Sequence, residues 1–352
     1  MMMDKNKTQN QVAFMSRPGQ MEFGIVPMPD IGENDVLVQI EWCGICGSDI
    51  HYYEYGRIGD YVVNGDFILG HEVAGTVVQT GSEVKTLSTG DRVALEPGIP
   101  CGKCEMCRQG KYNLCKDVVF FATPPVQGAL QRYVRHPADM CFRLPDGVST
   151  RSGALVEPLS VGLHACAQGG VKLGDDVVIL GSGCIGLCTL LAAKASGASR
   201  VIVADLFEKR LAFAKKLGAD FVVNSKSEDL RHRVCEIFGE RGADVVLETA
   251  GASATIYQSA YLAKAGGTVV LVGISVEGNQ KYSFNQVMGK ELTIKSVFRY
   301  RNCYPVAIRA IASGKIDVEQ IVTHEFPFEE TPKAFDTVIS DAQNVVKGII
   351  RF

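Results

Sequence analysis

Over roughly the first 155 residues, apolar positions come in short runs broken by Gly, Pro and Asp. The stretches "DVLVQIEWCG", "VAGTVVQTGS" and "DRVALEPG" combine β-branched residues with turn punctuation and predict strands. No long helical period is present here, so this half reads as mostly β. The pattern changes near residue 158. From Asp175 to Asn224 it reads strand, glycine turn, helix, strand, helix, strand. A helical stretch near 227–239, the strand "ADVVLETAG", a helix near 253–264 and the strand "GGTVVLVG" follow. Strands alternating with helices, with near-continuous Val/Ile runs, predict a doubly wound parallel sheet reaching about residue 299. Beyond it, "YPVAIRAIASGKI" is helical and "NVVKGIIRF" strand-like. The simplest arrangement returns 300–352 to the strand-rich half. The expected domains are therefore 1–158 with 300–352, and 159–299. No internal repeat, low-complexity tract or Pro/Ser-rich linker interrupts them.

Composition narrows the function classes. The chain has 352 residues, 46% hydrophobic and 21% charged, with a formal net charge of −3. No basic stripe stands out, which argues against nucleic acid and anionic membrane as partners. The N-terminus lacks an apolar signal core. The longest uncharged stretch, Val177–Ala193, is shorter than a span of ~20 residues and is interrupted by Gly181, Gly183 and Gly186. A cytoplasmic, non-membrane protein is expected. Twelve cysteines in such a chain point to metal binding or buried thiols rather than disulfides.

Gly181-Ser-Gly183-Cys-Ile-Gly186 is a G-x-G-x-x-G that follows the strand "VVIL" and opens a helix. In that context the glycines serve a tight turn, close approach to a pyrophosphate and helix–strand packing, and the helix N-terminus faces the phosphates. Asp205 ends the next strand, 19 residues after Gly186. A carboxylate there binds the adenine ribose hydroxyls. Leu206 and Phe207 follow, with no immediate Arg for a 2′-phosphate, so NAD is expected over NADP. Arg210 lies where it could cover the adenine or simply be solvated. The bland alternative is a tightly packed βαβ unit.

Cys101, Cys104, Cys107 and Cys115 follow C-x2-C-x2-C-x7-C. Four thiolates fill a tetrahedral shell, which marks a structural zinc site. An iron–sulfur cluster and four plain buried thiols are the other readings. A closed cage does no chemistry, so the reactive site lies elsewhere. Cys46, in "CGICGSDIHYYEYGRIGDY", and His71 and Glu72, in "GHEVAGTVV", supply a thiolate, an imidazole and a carboxylate. Three protein ligands leave a fourth position open, as catalysis requires. Cys43 and Cys46 also form a C-x-x-C, but no thioredoxin-like context surrounds it. Singly, His71 and Glu72 read as a packed histidine and a surface acid.

At these segments the sequence resembles the zinc-dependent medium-chain dehydrogenases, and within them the sorbitol/xylitol (polyol) dehydrogenases, over essentially its whole length. "GHEVAG", the four-cysteine lobe and "LGSGCIG" mark the broad family. "GICGSDIHYYEYGRIG", "FFATPP" with "GAL", "VEPLSVGLHA" and "SVFRY" mark the subgroup. The resemblance implies an α/β fold: a GroES-like β-rich catalytic domain, built from both chain ends, around a Rossmann cofactor domain. It implies one catalytic zinc on Cys46, His71 and Glu72, one structural zinc, and Glu157 as the acid that hydrogen-bonds the zinc water. Tyr52, Phe120, Thr123, Glu157, Arg299 and Tyr300 match the substrate pocket. Gly181, Gly183, Ile185, Gly186, Asp205, Arg210, Val272, Gly273 and Ile274 fall in the NAD site. A homo-oligomer, commonly a tetramer, is implied by analogy.

The implied reaction is reversible, NAD-linked hydride transfer from a polyol secondary alcohol to give a ketose. Zinc lowers the pKa of a bound water to roughly 7, and acidifies a bound alcohol in the same sense. Ser48 and His51 stand where related alcohol dehydrogenases carry a proton relay, and Glu157 offers a second path. Arg299, in the "SVFRY" stretch, is read as a charged residue within the otherwise apolar strand "TIKSVF" and has donors for several hydroxyls. An arabitol or L-threonine dehydrogenase, and a non-enzymatic zinc-binding module, are the alternatives. The cysteines at 43, 141, 166, 184, 188, 235 and 303 match no function and read as small buried hydrophobes.

Overall fold

The computed structural model describes residues 9–275 and 278–352. The chain forms two compact units. The first holds Met1–Glu157, Tyr304–Ala312 and Val322–Phe352; the second holds Pro158–Cys303 and Ser313–Ile321.

The first unit is a β structure. The hairpin Gln9–Arg17/Gln20–Pro27 precedes a sheet centred on the strand Asp35–Gly44. The order across that sheet is Cys141–Arg143, Arg92–Leu95, Glu72–Thr80, Asp35–Gly44, Lys347–Arg351 and Val322–Pro327, with Tyr133–Pro137 also on Asp35–Gly44. The C-terminal strand is thus an inner member, and Ile349 stands opposite Gly44. Its apolar residues Ile349 and Ile350 are fully buried, which anchors the tail. One helix that apolar periodicity does not announce, Gly47–Tyr55, follows the central strand. Its sequence, "GSDIHYYEY", carries almost no apolar stripe, and Cys46 caps it.

The second unit is a six-stranded parallel sheet. Its order is Phe221–Asn224, Arg200–Asp205, Asp176–Leu180, Ala243–Glu248, Ala263–Leu271, Thr293–Ser296. In sequence rank this is 3-2-1-4-5-6, the dinucleotide-binding order. Every residue of Asp176–Leu180 is buried, as a central strand covered on both faces requires. The outer strand Thr293–Ser296 is exposed along its length.

Residues 300–352 do not return to the first unit as one piece. Residues 300–303 and 313–321 cluster with the second, where the 3-10 turn Val318–Ile321 packs on the helix Cys184–Ser196. The physical reason is burial: Val318 and Ile321 are almost wholly out of solvent.

Candidate metal centre and cofactor site

In the first unit, turn and strand bring three ligand atoms together. Cys46 stands at the N-cap of Gly47–Tyr55, and His71 and Glu72 lead into the strand Glu72–Thr80. Their sulfur, ring nitrogen and carboxylate oxygen all lie within 4.8 Å of one another. His71 and Glu72 are buried; Cys46 is half-buried. The donors fit a zinc ion: one soft thiolate, one imidazole and one carboxylate, close enough for bonds of about 2.0–2.3 Å after small rotations.

Two residues that the sequence reading passed over organise this cluster. Asp49, 1% exposed, accepts hydrogen bonds from the backbone N–H of Gly70 (3.0 Å) and of Cys46 (3.1 Å). It also lies 3.4 Å from His71 Nδ1. A carboxylate on one ring nitrogen fixes the imidazole so that the other is presented to a metal. Burial raises the Asp49 pKa, but the His71 charge, its hydrogen bond and those of the two amides outweigh it, and the net shift is downward. Burial likewise opposes protonation of His71, yet Asp49 and Cys46 draw its pKa well above the usual value. The second residue is Lys347, whose ammonium donates to Glu72 Oε1 (2.8 Å), Glu72 Oε2 (2.7 Å) and the Ile45 carbonyl (2.9 Å).

Of the expected pocket residues of this unit, Phe120 reaches the cluster. The Phe120 ring lies 5.9 Å from that of His71, and Tyr52 is buried against Phe67. Thr123 is half-buried, and its N–H donates to the Phe120 carbonyl (3.2 Å). Ser48 and His51 share the helix that Cys46 caps. Glu157, 5% exposed, lies in the first turn of Val156–Gly169, one residue before Pro158. A further buried acid, Glu96, was not anticipated. Its pKa is pushed up to about 7, first by burial and further by the Glu157 charge, against the hydrogen bond from Tyr112. That bond (Tyr112 hydroxyl to Glu96 Oε1, 2.7 Å) ties the cysteine lobe to the strand Arg92–Leu95.

The four cysteines of the lobe also converge. Cys104 Sγ and Cys107 Sγ are 3.4 Å apart, Cys101 Sγ and Cys107 Sγ 4.0 Å. A zinc with bonds of about 2.3 Å sets sulfurs ~3.8 Å apart, between the two values. Backbone N–H groups of Cys101 and Cys104 point at the sulfurs of Cys115 and Cys101, at 3.4 Å each. The amides of Lys103 and Cys104 pull the Cys101 thiol down to about 7. Donors aimed at sulfur favour the thiolate, the form a metal takes.

The second unit carries the glycine turn between Asp176–Leu180 and Cys184–Ser196, with Gly183 at the helix N-cap. A Cβ on Gly186 would strike the Gly181 carbonyl, so helix and strand approach only because it is absent. Ile185 stands in the first turn of that helix. Asp205 is more occupied than expected. It accepts from Ser182 N–H (2.7 Å), Ser182 hydroxyl (2.8 Å), Leu206 N–H (2.7 Å) and Phe207 N–H (3.1 Å). It therefore pins the glycine turn. The Arg210 guanidinium lies over the Phe207 ring at 5.4 Å. Val272 and Gly273 N–H groups both donate to the Glu248 carbonyl, and Ile274, next in line, is 75% exposed. Arg299 and Tyr300 belong to this unit. The strand ends at Ser296, three residues before Arg299, which has a positive φ of 56° and lies over Phe298.

A parallel sheet with a dinucleotide turn, joined to a β unit bearing a thiolate–imidazole–carboxylate cluster, defines a metal-assisted dehydrogenase. Two family models match: "Alcohol dehydrogenase GroES-like domain" over residues 32–146 and "Zinc-binding dehydrogenase" over 184–313. Sorbitol dehydrogenase of Rattus norvegicus is 45% identical over 334 residues, 94% of this chain and 93% of its own. An uncharacterised zinc-type alcohol dehydrogenase-like protein of Escherichia coli K12 is 45% identical over 345 residues, 97% and 99% of the two chains. A solved Escherichia coli oxidoreductase/dehydrogenase of unknown specificity superposes with a TM-score of 0.94 at 44% identity, covering 97% of this chain and 99% of that one. The chain belongs to the zinc-binding medium-chain dehydrogenase family, in its sorbitol dehydrogenase subgroup. Among the described residues, no helix is long and apolar enough to cross a membrane.

Proposed function

We propose that the chain is an NAD-linked polyol dehydrogenase that interconverts a secondary alcohol of sorbitol or xylitol and the corresponding ketose. The convergence of Cys46, His71 and Glu72 on one point carries the reading. These residues would hold a zinc ion, and the four lobe cysteines a second one. When bound, the catalytic zinc supplies Lewis acidity toward the alcohol oxygen. The chain's own groups do the rest. Asp49 fixes the His71 ring. Ser48 and His51, on the helix that Cys46 caps, give the alcohol proton a route out, and buried Glu157 offers another carboxylate for it. Gly181, Gly183, Gly186 and Asp205 hold the dinucleotide, and Arg299 reads the polyol hydroxyls. A cytoplasmic homo-oligomer, tetrameric by resemblance, is part of the proposal; light scattering on the purified chain tests the oligomer.

Initial rates with sorbitol, xylitol, arabitol, L-threonine and simple alcohols, each with NAD+ and NADP+, test the reading. The highest kcat/KM should fall on sorbitol or xylitol with NAD+. A clear preference for threonine or arabitol would overturn the substrate. Metal analysis of the dialysed protein should give about two zinc ions per chain, one in each ligand set.

A further inference from the structure

Among the contacts of the three-ligand cluster, one comes from the far end of the chain. Lys347 opens the strand Lys347–Arg351, whose register against Asp35–Gly44 is set by the Ile349–Gly44 and Ile350–Cys43 pairs. That register delivers its ammonium to Glu72, 275 residues away in sequence. Both side chains are almost wholly buried, 2% and 1% exposed. The carboxylate occupies a slot that Gly44 leaves free, since a Cβ there would overlap Glu72 Oε2. Lys347 also holds the Ile45 carbonyl, so it fixes one ligand's side chain and the backbone just before another, Cys46.

A carboxylate that gives one lone pair on each oxygen to a buried ammonium has less electron density for a cation. The two bonds, at 2.8 and 2.7 Å, are short and charge-assisted, the stronger kind. Among the described residues, no Lys or Arg pairs with the donor atoms of Cys46 or His71, and His71 faces a carboxylate, Asp49, which strengthens it as a ligand. The three ligands are therefore unequal by construction. We propose that Lys347 is a positioning residue that shares the Glu72 carboxylate with the metal, making Glu72 the weakest ligand of the set and limiting how firmly the catalytic zinc is held. The inference rests on the metal reading above.

The test is zinc affinity, with the ion in the cysteine lobe followed separately by stoichiometry during chelator competition. Lys347→Met keeps the length of the stem and removes the competing charge. It should hold the catalytic zinc about ten-fold or more tightly, a coupling of the size seen between groups in contact. Lys347→Arg, which keeps a cation, should stay close to the parent. In the cobalt-substituted protein, the d–d absorption should move in Lys347→Met and not in Lys347→Arg. Unchanged or weaker zinc binding in Lys347→Met would overturn the proposal. Should Lys347→Met fail to fold, Glu72→Gln decides. A shared ligand predicts a loss of less than about ten-fold in zinc affinity, whereas about 100-fold or more would show an unshared one, the range set by ligand-supporting groups. A parent chain and a Lys347→Met chain that both take up only the lobe zinc in excess zinc sink the metal reading; two zinc ions with no effect of Lys347→Met sink this proposal alone.

Discussion

Replacing Asp205 separates two roles that a single carboxylate holds. It accepts four hydrogen bonds, two from Ser182 and one each from the N–H groups of Leu206 and Phe207. Ser182 is fully buried, whereas Leu206 is 49% exposed. In Asp205→Ala, water can satisfy the exposed amide at little cost. The Ser182 N–H and hydroxyl lose their acceptor inside the protein, at about 1–3 kcal/mol for each buried group. A loss of ~2–6 kcal/mol is therefore expected, a large share of a typical stability of about 5–15 kcal/mol. Asp205→Asn keeps an acceptor oxygen for Ser182 and removes only the charge, so it should lose no more than about 1 kcal/mol. The cofactor effect should behave differently. Both variants lose the negative charge that repels a 2′-phosphate, so both should shift the NADP/NAD ratio of kcat/KM upward. The assay is urea unfolding monitored in the isolated proteins, alongside initial rates with both cofactors. Equal stability of the Ala and Asn variants would refute the loop-pinning argument. An unmoved cofactor ratio in both would refute Asp205 as the selector.

Three further outcomes are expected. Asp49→Asn, which removes the charge beside His71 but keeps an acceptor for the amide of Gly70 or Cys46, should weaken catalytic zinc binding by about 10–100-fold; an unchanged chelator-competition curve would strip Asp49 of its orienting role. His136 is fully buried, with Nε2 2.8 Å from the Glu96 carbonyl, and burial lowers its pKa from 6.5 to about 4. Below pH 6.5 the unfolded chain takes up a proton that the folded chain refuses until about pH 4, so stability falls across that window. At ~1.4 kcal/mol per unit the loss is ~3 kcal/mol; in His136→Gln the urea midpoint should decline less between those pH values, and superimposable profiles would contradict the assignment. Arg299→Leu should lower kcat/KM for sorbitol or xylitol by roughly 10- to 150-fold, the worth of a hydrogen bond to a charged group. A simple secondary alcohol should lose far less, and equal losses on both would show that Arg299 does not read the polyol chain.

What was readable in advance shares one property: it is local. The four lobe cysteines fall within fifteen residues, and C-x2-C spacing carries its own geometry. The glycine turn lies between a strand and a helix that hydrophobic period alone reveals. The parallel sheet announces itself through Val/Ile runs buried on both faces. The helix Gly47–Tyr55 escaped because its burial comes from Asp49, Tyr52 and Tyr53 rather than from an apolar stripe. Yet that helix carries Asp49 to His71, and Ser48, His51 and Tyr52 share it.

Sequence by itself determined the two-part plan, the dinucleotide turn and the four lobe cysteines able to ligate zinc, because each follows from spacing or periodicity within a short segment, whereas Cys46, His71 and Glu72 stood out as a set only through the family resemblance. Tertiary structure alone decided which groups support those residues. Asp49 reaches His71 across 22 positions, Tyr112 reaches Glu96 from the cysteine lobe, and Lys347 reaches Glu72 from the last strand. It also decided that 313–321 pack on the cofactor unit while the flanking segments 304–312 and 322–352 join the β unit. Each of these contacts depends on sheet register and burial, which fix where a side chain points only once distant strands have paired.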